Sequence, residues 1–217
     1  NTEATMRSHN VSVNATTIGT NSYNNSAFGV INGSYSAITG SYDGGAFSSK
    51  ASQNFGATIT GSLNSIESKT ASSNYSGIAN SIVGTANRTF NSNGSLIFGA
   101  GNEITNSVTR IVAPSSGGNS AKELADKVRT AVKNSNSGGS TMAFGGGNRA
   151  DYTLRTALVG VNNTVTGTSA AASADNSITG FHNTATNVNH VTVTGSENTI
   201  SDTNHAVVIG DNRTLQG

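Results

Sequence analysis

One short pattern recurs along this chain and restricts the fold more than any other feature. It runs two apolar or small residues, a glycine, two variable residues, an asparagine, one further residue and an apolar residue. Leu96-Ile-Phe-Gly-Ala-Gly-Asn-Glu-Ile104 aligns with Met142-Ala-Phe-Gly-Gly-Gly-Asn-Arg-Ala150 and Ala157-Leu-Val-Gly-Val-Asn-Asn-Thr-Val165. Ser177-Ile-Thr-Gly-Phe-His-Asn-Thr-Ala185, Thr192-Val-Thr-Gly-Ser-Glu-Asn-Thr-Ile200 and Val207-Val-Ile-Gly-Asp-Asn-Arg-Thr-Leu215 follow, the last with its Asn one place early. Gly145, Gly160, Gly180, Gly195 and Gly210 are separated by steps of 15, 20, 15 and 15. A step near 15 is too short for a helix pair and suits a coil of two short strands and two turns.

The residue types agree with such a coil. Glycine after the apolar pair permits a positive φ or a close backbone approach at a corner. Asparagine tolerates the left-handed region and bonds its own backbone, which suits a second tight turn. Ile66, Ile104, Val165, Ile200 and Leu215 each stand five places after their glycine and are expected to face inward in one ladder. The intervening Thr and Val favour strands. Earlier copies are Ala27-Phe-Gly-Val-Ile-Asn32, Ile59-Thr-Gly-Ser-Leu-Asn-Ser-Ile66 and Ile82-Val-Gly-Thr-Ala-Asn87, with Gly19, Gly29 and Gly40 only 10 and 11 apart.

Periodicity matters here because composition alone permits disorder. Of 217 residues, 34% are hydrophobic and 11% charged, against about 45–50% apolar and about 25% charged in ordinary domains. So little apolar material fits either a disordered chain or a solenoid whose turns need few inward side chains. The net charge of +1 argues against the first, and the coupled pattern argues for the second. Near-neutrality leaves no electrostatic footprint for nucleic acid. The absence of Cys removes disulfides, thiolate metal sites and Cys nucleophiles. No apolar run reaches membrane-spanning length, and the opening Asn1-Thr-Glu-Ala is no signal peptide, so a secreted form is expected to have lost its leader.

Asn25-Ser-Ala-Phe-Gly-Val-Ile-Asn32, Asn176-Ser-Ile-Thr-Gly-Phe-His-Asn183 and, more loosely, His205-Ala-Val-Val-Ile-Gly-Asp-Asn212 resemble the head repeats of trimeric autotransporter adhesins. The resemblance covers the chain outside residues 107–140. It implies an all-β fold, a left-handed parallel β-roll in an intertwined homotrimer, spanning residues 1–217 as an adhesin head. It also implies display on a bacterial outer membrane through a C-terminal anchor outside this chain, and attachment to host cells. The partner implied is a host cell-surface receptor, immunoglobulin-like and of the carcinoembryonic-antigen-related type, or an extracellular matrix protein. Trimerisation has a physical argument of its own: coils this thin, with Ala and Gly at many inward places, bury little apolar area alone, at about 25 cal/mol per Å².

Residues 107–140 interrupt the pattern and hold one good helix, expected near 121–133. Ser120 can cap it with Glu123 three places on. Leu124, Val128, Ala131 and Val132 fall on one face, Lys122, Asp126, Arg129 and Lys133 on the other. The segment is either a recognition arm with a basic face or a helix docked by its apolar face on the roll or between subunits.

Catalytic and metal chemistry are not expected. His9, His182, His190 and His205 share no ligand spacing, and the acids fall mainly in turns. No cofactor is called for. The candidate binding residues are Tyr23, Tyr35, Tyr42 and Phe47, since aromatics add contact area at low entropy cost, and Lys122, Arg129 and Lys133 on the helix. The alternative is a non-catalytic solenoid that binds ice or polysaccharide. It requires Thr-x-Thr in register, and Thr58-x-Thr60 and Thr192-x-Thr194 occur without matching turns beside them.

Overall fold

The computed structural model describes residues 9–10, 14–39, 54–68, 76–111 and 120–217. The chain winds as a parallel β-solenoid of two facing sheets, with one helix outside them. One sheet, here the A sheet, has eleven strands and runs from His9–Asn10 to Thr214–Gln216; the other, the B sheet, has twelve, eleven on its main path and a further strand, Asn204–Ile209, paired beside Asn189–Ser196. Every strand pairs in parallel with the equivalent strand of the next coil. Leu96–Ala100, for example, lies between Ser81–Thr85 and Met142–Gly146 in the B sheet, and Glu103–Thr105 between Arg88–Phe90 and Arg149–Asp151 in the A sheet.

Because successive side chains in a strand point to opposite faces, the three-residue strands send their middle residue inward and the five-residue strands their second. The B sheet contributes Ile31, Ile59, Ile82, Ile97, Ala143, Leu158, Ile178 and Val193 to the interior. The A sheet contributes Ile38, Ile66, Ile104, Ala150, Val165, Ala185 and Ile200. The two rows form one continuous core. Ile66, Ile104, Val165 and Ile200 therefore stand where the repeat places them, in one ladder; Leu215 joins its register but is 37% exposed on the terminal coil.

The corner between the sheets explains the Gly and Asn of the repeat. Gly160 has φ +121°, and a Cβ built there would lie 2.0 Å from the carbonyl oxygen of Gly180 in the next coil. The same close approach recurs at Gly99, whose Cβ would meet the Gly145 oxygen at 1.8 Å. Both a left-handed φ and a backbone contact exclude a side chain. Three places on, Asn64, Asn87, Asn102, Asn148, Asn163, Asn183 and Asn198 stack as a buried ladder. Asn102 is typical: its backbone N–H and its Nδ2 both donate to Asn87 Oδ1 at 3.0 Å, and Nδ2 also donates to the Gly145 carbonyl at 2.8 Å. Buried amides cost free energy unless bonded; here each is bonded to an Asn of an adjacent coil and to a corner glycine carbonyl.

The register of the first coils differs from the one read in the sequence. Gly29 is not a corner glycine: it keeps a negative φ and donates its N–H to Ser26 O at 2.9 Å in a turn. The corner belongs to Gly33, so the row runs Gly19, Gly33, Gly61, Gly84, and Ser22 and Ser36 take the Asn place. Ser36 N–H donates to Ser22 Oγ and Asn64 N–H to Ser36 Oγ, both at 3.2 Å. Gly40 lies outside the described residues.

The interruption is an excursion from an unbroken stack, since Gly99 faces Gly145 directly. Its neck is tied by Gly139 N–H donating to Asn93 Oδ1 at 2.8 Å and by Ser107 Oγ donating to Thr153 O at 2.7 Å. The helix spans Ala121–Asn134, and Ser120 accepts the Glu123 N–H at 3.3 Å as N-cap. None of its residues is buried, so its apolar face is not docked on the roll of its own chain.

Candidate interaction surfaces

Among the described residues, the expected binding residues fall on two elements, the first coils and the helix. Tyr23 lies in an A-sheet strand with its side chain turned outward and 37% exposed. Tyr35 occupies the corner after Gly33 in the left-handed region, φ 53°, and is 56% exposed. Tyr42 and Phe47 lie outside the described residues. Lys122, Arg129 and Lys133 are all exposed on the helix, yet the basic face is partly neutralised. Lys122 Nζ bonds Asp126 Oδ2 at 2.9 Å and Arg129 bonds its other oxygen. Lys122 first, then Arg129, holds the Asp126 carboxyl below the usual carboxylate range.

The larger surfaces are the outward faces of the two sheets. On the B sheet the outward positions carry Leu96, Phe98, Met142, Phe144, Ala157 and Val159 on three consecutive coils. Phe98 is 57% exposed, Val159 41% and Met142 37%. Val161 and Phe181 continue it along one corner, whereas Ile18 and Val30 lie apart beyond Thr58-x-Thr60, and Val207 and Ile209 beyond Thr192-x-Thr194. Apolar side chains at the same outward places of three adjacent coils form a patch of the kind that marks an interaction surface. The signal was present in the repeat: two adjacent apolar residues before the glycine cannot both point inward in a strand.

The outward A face is mostly polar, Tyr23, Ala37 and Phe90 apart. Arg88 sits between Glu67 and Glu103, with 2.8 Å contacts to each, and Glu103 continues to Arg149 at 3.5 Å. Arg88 also lies 5.1 Å over the Phe90 ring. The hydrogen bond from Arg88 pulls the Glu67 carboxyl below its ordinary value, against the opposing effect of burial, with help from the Ser65 hydroxyl. Beyond Arg149 the charges give way to Thr164-x-Thr166, Thr184-x-Thr186 and Thr199-x-Ser201 in exact register. The first Thr of each pair stands beside the repeat Asn in the aligned copies, but the second lies one place beyond the motif and was missed in the sequence. The two Thr pairs singled out there belong to the B sheet, where Thr192-x-Thr194 has Ser177-x-Thr179 on one side and Val207-x-Ile209 on the other.

At one margin of the B sheet, residues Arg155, Asp175, His190 and His205 occupy equivalent corners of successive coils, all with φ between 46° and 60°. Among the described residues no group of three or more His, Cys, Asp or Glu side chains is placed to hold a metal ion, and no helix is long and apolar enough to cross a membrane. Comparison with family models, curated proteins and solved structures found no match to the chain.

Proposed function

We propose that this chain is a non-catalytic binding head that works as a homotrimer, a left-handed β-roll displayed on a bacterial surface to attach it to host cells. The observation that carries the reading is the contrast between an apolar outward B face and a polar outward A face on one continuous stack. An apolar strip that repeats with the coil step is matched best by a surface of the same step, and another copy of this chain supplies one. Three copies facing inward by their B sheets leave the A faces, the corner Tyr35 and the helix outward. In that arrangement the helix is free to act as an arm. The partner is a host cell-surface protein of the immunoglobulin-like, carcinoembryonic-antigen-related type, or a matrix protein, engaged through Tyr23 and Tyr35 or through Lys122, Arg129 and Lys133. Support for adhesion beyond the faces themselves comes from the repeat's resemblance to autotransporter heads.

The test is capture of purified protein on immobilised ectodomains of such receptors and on matrix proteins, with Tyr35→Ala and a helix-deleted variant alongside. Saturable binding lost in one variant locates the site. Binding to none of these surfaces, by a protein shown to be folded, counts against the adhesin reading.

The in-register Thr array favours a second reading, a solenoid whose A face binds a crystalline ligand such as ice or a polysaccharide. Thermal hysteresis that disappears in Thr184→Lys is the outcome that selects it.

A further inference from the structure

We propose that His190 and His205 form a surface site for one divalent transition-metal ion of the zinc, nickel and copper class. The two imidazoles come from equivalent corners of adjacent coils. Their ring centroids are 4.8 Å apart and their planes differ by 10°, so the two rings lie stacked side by side. Both residues hold the left-handed corner conformation, φ 54° and 57°, which histidine tolerates better than most side chains. The corner is clamped on both sides of the rings: Val191 pairs with Ala206, and Asn189 Nδ2 donates to Asn204 Oδ1 at 3.1 Å. The backbone therefore fixes the pair at one coil step, and both side chains are exposed to solvent.

That arrangement suits a metal that prefers nitrogen. Neutral imidazole is the common ligand for zinc, copper and nickel, whereas calcium and magnesium take oxygen ligands. A bound zinc sits about 2.0–2.1 Å from each nitrogen, and rotation about the broad terminal torsion of each ring brings two nitrogens together on one ion. The carboxylate nearest the pair is committed elsewhere. Asp175 accepts from Arg155 Nε at 2.6 Å and from its Nη2 at 2.8 Å, and its oxygen stands 4.0 Å from His190 Nε2, beyond hydrogen-bond range. Water thus completes the coordination shell, and the site is a two-imidazole clip. It is independent of the adhesin reading.

The experiment is titration of the full chain with zinc or nickel chloride by calorimetry, with the melting temperature followed in parallel. One ion per chain should bind and raise the melting temperature, because a ligand held only by the folded state stabilises it. His190→Gln and His205→Gln should each weaken binding by about tenfold or more, since even loss of an outer-shell partner brings about that much. The double variant should show no saturable binding, His182→Gln should bind like the parent, and calcium should not compete. Absence of saturable binding by the parent, or binding that survives in the folded double variant, overturns the proposal.

Discussion

The two sheets of this roll are nearly indistinguishable from inside and opposite from outside. Ile97 in the B sheet and Ile104 in the A sheet are both wholly buried in the same core. Their strand neighbours part company: Phe98 leaves an apolar ring 57% exposed, whereas Glu103 joins Arg88 and Arg149 in a chain of ion pairs. The core needs only one inward residue per strand, so the outward positions are released from folding and report what each face meets. A face that met only water would gain nothing from Phe98, Met142, Phe144 and Val159 in adjacent coils. The difference teaches that folding of one chain and the interactions of that chain are written in alternate residues of the same strands.

The largest expected effect separates these two sets of residues. Gly160→Val sets a side chain against the Gly180 backbone at a positive φ, and Ile97→Ala empties a core position at a cost of about 2–5 kcal/mol. Both should lower the melting temperature sharply, the first to the point of lost folding, read by circular dichroism. Phe98→Ala, one residue away, should leave the fold of the coil intact. If Phe98→Ala and Ile97→Ala destabilise a demonstrated monomer equally, inward and outward roles are not separable.

A second test weighs face against face. Phe98→Asp with Val159→Asp should abolish self-association, because charges buried without partners cost several kcal/mol. Thr164→Asp with Thr184→Asp, on the A face, should leave association unchanged. Sedimentation of the two double variants decides it, and equal behaviour removes the assignment of faces.

Smaller effects concern the ion pairs of the A face. The Glu67 carboxyl is held below its unfolded value, so its contribution is fully present above the ordinary range of Glu and is lost as pH falls through the lower folded-state value. Glu67 and Arg88 side chains are 32% and 40% exposed, which limits the contribution to about 0.5–1 kcal/mol. Glu67→Gln should therefore melt slightly below the parent at neutral pH and converge with it in acid. A gap that widens on acidification contradicts the assignment. The smallest effect should come from replacing residues 120–135 by a short flexible linker. No helix residue is buried, so the melting temperature of the roll should hardly move.

Much of this architecture is legible in the sequence because the corner is chemically demanding. Only Gly fits beside a neighbouring carbonyl, and the short Asn amide is both donor and acceptor up and down a column, as in Asn87 and Asn102. The capped helix is legible for a similar reason, since Ser120 and Glu123 mark its start. The first coils are harder because Ser22 and Ser36 replace Asn, which makes Gly29 look like the repeat glycine when it belongs to a turn. The surfaces are least legible. Positions beyond the repeat motif are not aligned by it, so the second residue of each Thr pair, Thr166, Thr186 and Ser201, and the Arg155-to-His205 corner emerge only once the coils are stacked. Tyr23 and Tyr35 were singled out by residue type, and only the stacked coils show that Tyr35 stands two places before Ala37, the residue paired with Tyr23.

The central claim is that the apolar B face is covered by further copies of the chain, and the mass of the particle in solution tests it most directly. Light scattering on the parent and on the Phe98→Asp, Val159→Asp double variant, at equal concentration, is the measurement. The account predicts three times the 21.9 kDa chain mass for the parent and a lower mass for the variant. A parent that is monomeric, melts cooperatively and keeps Phe98 and Val159 exposed to solvent contradicts it.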